Sequence, residues 1–158
     1  LDLLACQKWL DKRRFNPYRR HCLDGLKRTL NSVRKVAERR GIKVPVHWDR
    51  LNRIQTIRAW DEAMVVPRFG FASVDDYYAR MSVGPKLPKL TTPSLIISAR
   101  HDPMVPIESL RPHLSRATAD VWTLEQGAHV GFPKTVQPPA SEPAPLFAEI
   151  ARWCDDHR

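Results

Sequence analysis

Hydrophobic positions in the first half of the chain recur at the spacing of an α-helix. Asn16 and Pro17 are typical of an N-cap and a first helical residue, and Gly41 follows two arginines as a stop signal. One long helix is therefore predicted between them. Its apolar residues lie three or four positions apart and predict a single buried stripe. The residues of this stripe are Tyr18, Cys22, Leu26, Leu30, Val33 and Val36.

Shorter helices are predicted after this long one. A helical stretch follows a break at Pro45, and the segment 59–66 is expected to end against Pro67, because proline disfavours a helical conformation in the residue before it. Ser73, with Asp76 three residues later, resembles a capping box and predicts the start of another helix. The first part of the chain is thus predicted to be helical.

The pattern changes after the loop at residues 84–88. Residues 94–99, SLIISA, are leucine, isoleucine and small residues bounded by proline and arginine, which is typical of a buried strand. Residues 105–114 fit a helix, and residues 119–124, ADVWTL, fit a second strand. The order strand, helix, strand predicts a parallel pair with a right-handed crossover, and therefore an α/β fold.

A proline-rich loop over residues 133–145 precedes a last helix, which is predicted to pack on the sheet. The apolar side of this helix consists of Leu146, Phe147, Ile150, Trp153 and Cys154. Two parallel strands are too few for a sheet whose two faces are both buried. We therefore expect further strands from a leading segment, a dimer partner or a separately encoded piece. Alone, the chain is expected to dimerise or to be poorly soluble through the open edge of 94–99.

Charge adds one feature to this picture. The 158 residues carry a formal net charge of +9, and most of the excess lies between residues 13 and 40, on the predicted long helix and directly before it. Such a cluster can meet phosphates, an anionic membrane or an acidic protein, or it can be a solvated helix face. Aromatic residues do not alternate with the cations in the way that stacks bases, so we expect no nucleic-acid partner. Contact with a membrane surface stays open.

Three cysteines, Cys6, Cys22 and Cys154, form no C-x-x-C pair and indicate buried thiols in a reducing, cytoplasmic setting. None of them has the local features that single out a catalytic cysteine. No apolar stretch approaches the roughly 20 residues that span a bilayer. The first residues do not resemble a secretion signal.

The candidate chemistry lies at the ends of the two predicted strands. Asp102 follows the first strand directly, and His129 follows the second through a turn at Gly127. Because parallel strands end at the same edge of a sheet, the carboxylate and the imidazole are expected to meet there. A carboxylate at Nδ1 of a histidine leaves Nε2 free to take a proton from a serine, which is half of a serine hydrolase. Each residue alone is more often a turn, a helix cap or a structural donor.

The segments around these residues, Pro93–Pro106 (PSLIISARHDPMVP) and Glu125–Phe132 (EQGAHVGF), resemble the acid-strand and histidine-strand segments of α/β-hydrolases. Within that superfamily the chain resembles the YheT-like esterases over nearly its whole length. The other matching stretches are Leu1-Asp2-Leu3, Tyr18-Arg19-Arg20-His21, Gly70-Phe71-Ala72 and Asp76-Tyr77-Tyr78.

The resemblance implies the C-terminal portion of an α/β-hydrolase fold. Residues 1–83 would form a helical cap, and residues 84–158 would form the last two strands of the core with their flanking helices. The serine nucleophile would lie in a G-x-S-x-G turn upstream of Leu1, since the triad order in this fold is serine, acid, histidine. Asp102 and His129 would be the catalytic acid and base, with no cofactor and no metal.

No serine in the chain lies between glycines at the spacing of that turn. Ser82 is the nearest candidate, although a hydroxyl at a helix end is its simpler role. His101 is interpreted as local structure, because no third ligand accompanies it and Asp102. Several residues of the cap can line an acyl pocket or, as aromatic residues more often do, belong to the core. They are Trp60, Asp61, Phe69, Phe71, Tyr77 and Tyr78.

Two functions follow. The first is a carboxylic ester hydrolase acting on small-molecule or lipid esters, whose missing N-terminal half or a second chain supplies the serine, so that the chain alone is inactive. The second is a non-catalytic chain that binds a partner through its open sheet edge, or nucleic acid through the basic helix.

Overall fold

The protein is described by a computed structural model that covers residues 2–44, 47–114, 119–137 and 142–157. It divides into two compact units. We call Gln7–Met81 the helical unit, and the described residues of Leu1–Cys6 and Ser82–Arg158 the sheet unit. The assignment of residues 1–83 to a cap and 84–158 to a hydrolase core stays a prediction.

The helical unit contains the following elements in chain order. They are most of α1 (Leu3–Asp11), then α2 (Pro17–Arg39), α3 (Trp48–Asn52), α4 (Ile57–Trp60), a π-helical turn (Asp61–Val65), α5 (Val66–Phe69) and α6 (Val74–Met81). Its core holds four buried side chains, Leu23, Leu51, Ile54 and Trp60.

The long helix α2 begins as the sequence predicts. Asn16 has an extended backbone, and its side-chain oxygen accepts hydrogen bonds from the N–H groups of Tyr18 at 3.0 Å and Arg19 at 3.2 Å. Pro17 occupies the first turn, where its missing N–H group costs nothing. At the other end Gly41 has a φ of 64°, the left-handed conformation that glycine adopts without strain. The predicted boundaries are confirmed.

The predicted buried stripe of α2 is wrong. Tyr18, Leu26, Val33 and Val36 are between 40% and 49% exposed, and only Leu30 of the predicted set packs against the core. The buried residues of α2 are instead Arg19, Leu23 and Ala37.

Arg19 explains the rotation of this helix. Its guanidinium donates hydrogen bonds to the backbone carbonyls of Leu10, Asp11, Arg13 and Arg14, which close the turn between α1 and α2. A charged group is buried at acceptable cost only when its donors are satisfied, and here the carbonyls satisfy them. The face of α2 that carries Arg19 therefore turns inward, and the apolar stripe beside it stays at the surface.

A second correction concerns Pro67. The helix that begins at Ile57 does not end against this proline but continues to Phe69, with Pro67 in the first turn of α5 after the π-helical turn. The π-helical turn shifts the hydrogen-bond pattern directly before the proline, since the N–H of Val66 donates to the carbonyl of Asp61, five residues earlier. The predicted break at Pro45 lies outside the described residues.

The start of α6 is a capping arrangement, as predicted. Ser73 Oγ accepts a hydrogen bond from the N–H of Asp76 at 3.0 Å, and the carboxylate of Asp76 reaches back to the N–H of Ala72 at 3.1 Å. Ser73 thus satisfies an N–H group that the first turn leaves free, and Asp76 holds the segment that enters the helix.

In the sheet unit, a 3₁₀ helix (Gly84–Lys89) takes the place of the predicted loop and leads to β1 (Leu95–Ala99), α7 (Ile107–Leu114) and β2 (Asp120–Leu124). The two strands pair in parallel, with Leu95 opposite Asp120 and Ala99 opposite Leu124. The predicted parallel pair and the helix between its strands are confirmed, and the described chain is a mixed helix and strand structure.

The proline-rich loop is less irregular than predicted. Within it β3 (Thr135–Val136) pairs antiparallel with β4 (Ala144–Pro145), while residues 138–141 lie outside the described part of the chain. Val136 packs with Leu124 and Leu146 in the core of the unit. The short ladder thus attaches the loop to the end of β2.

The last helix, α8 (Leu146–Asp156), buries a different set of residues from the predicted one. Leu146 is buried and Ile150 packs on the core, but Phe147 is 82% exposed. Glu149 is buried in its place and pairs with Arg152 at 2.7 Å. Phe147 follows Leu146 by one residue, which is about 100° around a helix and places it on another face.

The cysteines are free, and their surroundings differ. Cys6 is buried, Cys22 is half-buried and Cys154 is exposed, so the prediction of three buried thiols is wrong for Cys154. Among the described helices, none has the length and apolar character to cross a membrane.

Candidate active site

The two parallel strands end side by side and fix the base of the candidate site. Ala99 and Leu124 are the last paired residues, and the N–H of Arg100 donates to the carbonyl of Leu124 at 2.9 Å, which extends the pairing by one step. The Arg100 guanidinium then contacts the Glu125 carboxylate at 2.7 Å. The two segments that leave the strands therefore begin next to each other.

Asp102 is held by the backbone of its own loop. Its N–H donates to the carbonyl of Ala99 at 3.3 Å. Its Oδ1 accepts hydrogen bonds from the N–H groups of Met104 at 2.8 Å and Val105 at 2.9 Å. The side chain is 11% exposed. Because Oδ1 is occupied on the loop side, the orientation of Oδ2 is fixed toward the other strand end.

His129 is positioned by a tight turn at Gly127, where only glycine fits without strain. Gly127 has a φ of 134°, and a Cβ placed on it would lie 3.3 Å from the Cβ of Ala99 and 3.1 Å from the ring of Phe132. The N–H of Ala128 donates to the carbonyl of Gly131 at 2.7 Å, which closes the turn. The loop after β2 can therefore pass close to the end of β1 and bring the imidazole over it.

The structure brings the two predicted site residues together. Nδ1 of His129 lies 3.0 Å from Oδ2 of Asp102. The imidazole is 41% exposed, and its Nε2 has no hydrogen-bond partner among the described residues. A carboxylate acceptor at Nδ1 places the proton of a neutral imidazole on that atom, so Nε2 is the free base. The pair can accept a proton from a group placed above the strand ends.

No described serine forms a hydrogen bond with this imidazole in the structure. Ser82 is buried and accepts from the N–H of Leu3 at 3.0 Å, at the start of α1. Ser109 Oγ donates to the carbonyl of Pro106 at 2.7 Å, and the buried hydroxyl of Ser98 on β1 has no hydrogen-bond partner among the described residues. Ser115 and Ser141 lie outside the described residues.

Cys6 lies in the same unit but does not have the character of a nucleophile. Its thiol is buried, and burial raises its pKa above the ordinary range, although the hydrogen bond with Ser109 Oγ at 3.7 Å acts in the opposite direction. Burial also raises the pKa of Cys22. A thiolate is the reactive form of cysteine, so a raised pKa makes both thiols less reactive.

The residues that were predicted to line an acyl pocket have different surroundings in the helical unit. Trp60 belongs to the core, Tyr78 is buried, and Phe69 is exposed. The Tyr78 hydroxyl donates to the Asp61 carboxylate at 2.7 Å. Burial raises the pKa of Asp61, and burial followed by this hydrogen bond raises the pKa of Tyr78. The aromatic rings of Phe71 and Tyr77 pack against each other, with their centroids 5.1 Å apart.

Sequence reasoning missed two supports of the site. The first is the pair of backbone N–H groups at Met104 and Val105, whose signal is an aspartate directly before a turn into a helix. The second is the ion pair of Arg100 and Glu125, for which no local pattern exists because the partners follow different strands and lie far apart in the sequence. Among the described residues, no group of three histidine, cysteine or acidic side chains is placed to hold a metal ion.

Comparison with known proteins adds independent information. No family model matches the sequence, and no solved structure matches it. The putative esterase YheT of Escherichia coli is 31% identical over 131 residues, which is 82% of this chain and 38% of that protein. The putative esterase slr0264 of Synechocystis is 36% identical over 86 residues, 52% of this chain and 23% of that protein. A monoacylglycerol lipase of Saccharomyces cerevisiae is 29% identical over 86 residues, 52% of this chain and 18% of that protein.

The chain thus spans less than two fifths of the length of each of these relatives. The shared identity is modest, but it recurs across esterases and lipases from bacteria and yeast. This agrees with the resemblance of the strand-end motifs around Asp102 and His129. The chain is related by sequence to the esterases and lipases of the α/β-hydrolase family.

Proposed function

We propose that this chain carries the acid and the base of a carboxylic ester hydrolase, with Asp102 as the acid and His129 as the base. The observation that carries the proposal is the 3.0 Å contact between Nδ1 of His129 and Oδ2 of Asp102 at the ends of two parallel strands. Relatives named as esterases and a lipase support the choice of an ester as substrate.

The proposed reaction uses Nε2 of His129 as a general base. It removes the proton from a serine hydroxyl as the serine oxygen attacks the ester carbonyl, and Asp102 stabilises the imidazolium that forms. The same Nε2–H then protonates the departing alkoxide, which leaves an acyl-serine. A water molecule, deprotonated by Nε2, attacks the acyl carbon, and Nε2–H then returns that proton to the departing serine oxygen, which releases the carboxylic acid and the free serine.

The serine in this proposal comes from a polypeptide segment other than the one described. No described serine bonds to the imidazole, and none of the serines in the sequence lies in a G-x-S-x-G turn. The proposed segment also contributes further strands beside β1. Leu95, Ile96 and Ile97 are apolar yet only half-buried on this strand, which fits a strand that pairs and packs on both sides in a complete sheet.

We further propose that the helical unit is the cap domain of an α/β-hydrolase. The support is the resemblance to capped esterases together with its separate, compact core of Leu23, Leu51, Ile54 and Trp60. A cap of this kind would choose the acyl chain through shape and apolar contacts.

A covalent probe tests the function directly. The full protein is treated with a fluorophosphonate, which reacts with an activated serine, and is assayed in parallel on p-nitrophenyl esters of short and long acyl chains. We expect one serine to be labelled, labelling to disappear in His129→Ala, and ester turnover to be inhibited in proportion to labelling. Ester turnover without any fluorophosphonate-sensitive serine would contradict the proposed mechanism.

A non-catalytic interaction module is the second candidate, because no described serine contacts His129. In that case the full protein shows neither labelling nor ester turnover. His129→Ala and Asp102→Ala would then alter stability alone.

A further inference from the structure

The helix α2 presents an apolar stripe that its own unit leaves uncovered. The stripe lies on a continuous helix of 23 residues, and we define it as Tyr18, Cys22, Leu26, Val33 and Val36. Four of these side chains are between 40% and 49% exposed, and Cys22 is half-buried. At about 1.5 Å per residue, the stripe from Tyr18 to Val36 is about 27 Å long.

This stripe is distinct from the face of α2 that stabilises the unit. At about 100° per residue, Leu23 and Ala37 lie on the neighbouring part of the helix surface and turn inward with Arg19. A contiguous exposed apolar surface of this length on one helix is a mark of an interaction site rather than of scattered surface residues.

Positive charge lies on the side of α2 away from the core, beyond the stripe. Arg28, Lys35 and Arg39 lie on the side of the stripe away from the core, all three are exposed, and none of them forms an ion pair with another described residue. The acidic residues of α2 lie further round the helix and are paired, Asp24 with Arg20 and Glu38 with Arg34. The surface of α2 on that side of the stripe is therefore cationic.

We propose that the stripe and these three cations form a docking surface for a membrane that contains anionic phospholipid. An amphipathic helix with an apolar strip and lysine or arginine beside it lies in the plane of a lipid surface, where its apolar side chains enter the acyl boundary and its cations meet the phosphates. Tyr18 stands at one end of the stripe, and its ring with a polar tip suits the same interface.

The charge pattern favours a lipid surface over a folded protein partner. A helix that lies in a protein groove is recognised through a few anchoring side chains in separate pockets. Here the apolar side chains follow one side of the helix over about five turns, with the exposed Thr29 among them, and exposed cations recur on the side away from the core at intervals of seven and four residues. A planar anionic surface can take the apolar side chains while the long cationic side chains extend to its phosphates. This inference does not depend on the proposed ester hydrolysis.

The test is vesicle co-sedimentation of the full chain, with vesicles of phosphatidylcholine alone and of phosphatidylcholine mixed with phosphatidylserine. We expect binding to the mixed vesicles, little binding to the neutral ones, and weakening as salt is raised. Two variants remove the surface without touching the core. Leu26→Ser with Val33→Ser removes apolar contact, and Arg28→Gln with Lys35→Gln removes charge. Each is expected to weaken binding at least about tenfold.

Matched controls remove the same types of side chain at positions outside α2. Phe147→Ser removes an exposed aromatic side chain from α8, and Lys89→Gln with Arg111→Gln removes two exposed cations from the sheet unit. These controls should bind like the unaltered chain. Absence of binding to the mixed vesicles, or equal loss in variants and controls, would overturn the proposal. If the α2 variants instead dissociate a dimer in sedimentation and leave vesicle binding unchanged, the stripe contacts a second copy and the proposal is wrong.

Discussion

Nδ1 of His129 lies 3.0 Å from Oδ2 of Asp102, while the other oxygen of that carboxylate accepts two backbone N–H groups in its own loop. The carboxylate is thus fixed from one side and directed at the imidazole from the other. Such a contact selects the imidazole tautomer whose Nε2 is a free base.

Asp102→Asn tests the role of the carboxylate. The amide oxygen can keep the N–H groups of Met104 and Val105, so the loop should stay folded. The amide nitrogen then faces Nδ1 as a donor and forces the proton of the imidazole onto Nε2, where it can no longer accept one from serine. We expect kcat for ester hydrolysis to fall by about 10⁴-fold with KM little changed. Steady-state kinetics and circular dichroism of the full protein check both parts.

Gly127→Ala tests the turn that delivers the imidazole. A Cβ at this position would contact Phe132, the carbonyl of Gly131 and Ala99, in a backbone conformation that L-residues rarely adopt. We expect a loss of about 1–3 kcal/mol in the free energy of unfolding, together with reduced ester turnover. Gly131→Ala is the matched control, because a Cβ there has nothing within 4 Å. Equal stability of the two variants in urea denaturation would count against this account of the turn.

The buried pair of Asp61 and Tyr78 gives a pH-dependent prediction. The hydrogen bond from the Tyr78 hydroxyl lowers the pKa of Asp61 against the larger, raising effect of burial. This bond therefore stabilises the ionised carboxylate, and its contribution is present above the pKa of Asp61 and is lost as the pH falls through that pKa. Tyr78→Phe should cost about 1–3 kcal/mol at neutral pH, and less in acid. Urea denaturation at a series of pH values measures the difference, and a cost that grows in acid would contradict it.

Asp11 stabilises the helical unit through the start of α4. Its carboxylate accepts hydrogen bonds from the N–H groups of Ile57 at 3.0 Å and Arg58 at 3.1 Å, which the first turn of a helix leaves free. We expect Asp11→Ala to lower the free energy of unfolding by about 1–3 kcal/mol. Asp24→Ala removes an exposed carboxylate with one distant ion pair and should change it by no more than about 0.5 kcal/mol. Thermal denaturation compares the two variants.

The parts of this fold that follow from local chemistry could be predicted. Asn16 and Pro17 fix the start of α2 through backbone N–H groups next to them in the chain. The parallel strands follow from the order of apolar runs, and their ends place Asp102 near His129 because parallel strands end at one edge. In each case the interaction that decides the structure is visible within a few residues or in the order of elements.

The incorrect predictions concern which helix faces are buried, because contacts with residues outside the local pattern determine this. The apolar stripe of α2 shows where hydrophobic residues lie, but it does not show which face of the helix packs against the core. The buried face depends on hydrogen bonds from the Arg19 guanidinium to carbonyls of the preceding turn. Hydrophobicity predicts that Phe147 belongs to the core. The helix buries Glu149 instead, and the exposed Arg152 forms an ion pair with the Glu149 carboxylate. A paired polar side chain can replace an apolar one when its hydrogen bonds are satisfied.

The assignment of His129 as the catalytic base is tested most directly by measuring kcat/KM for ester hydrolysis by the full protein. The variant is His129→Gln, and His101→Gln is the control. Both substitutions remove an exposed imidazole from a strand-end loop, but only His129 faces Asp102. We expect a fall of at least about 10⁴-fold for His129→Gln, near-normal turnover for His101→Gln, and unchanged folding in both. Turnover that survives His129→Gln, or that falls equally in the two variants, would contradict the assignment of His129 as the base.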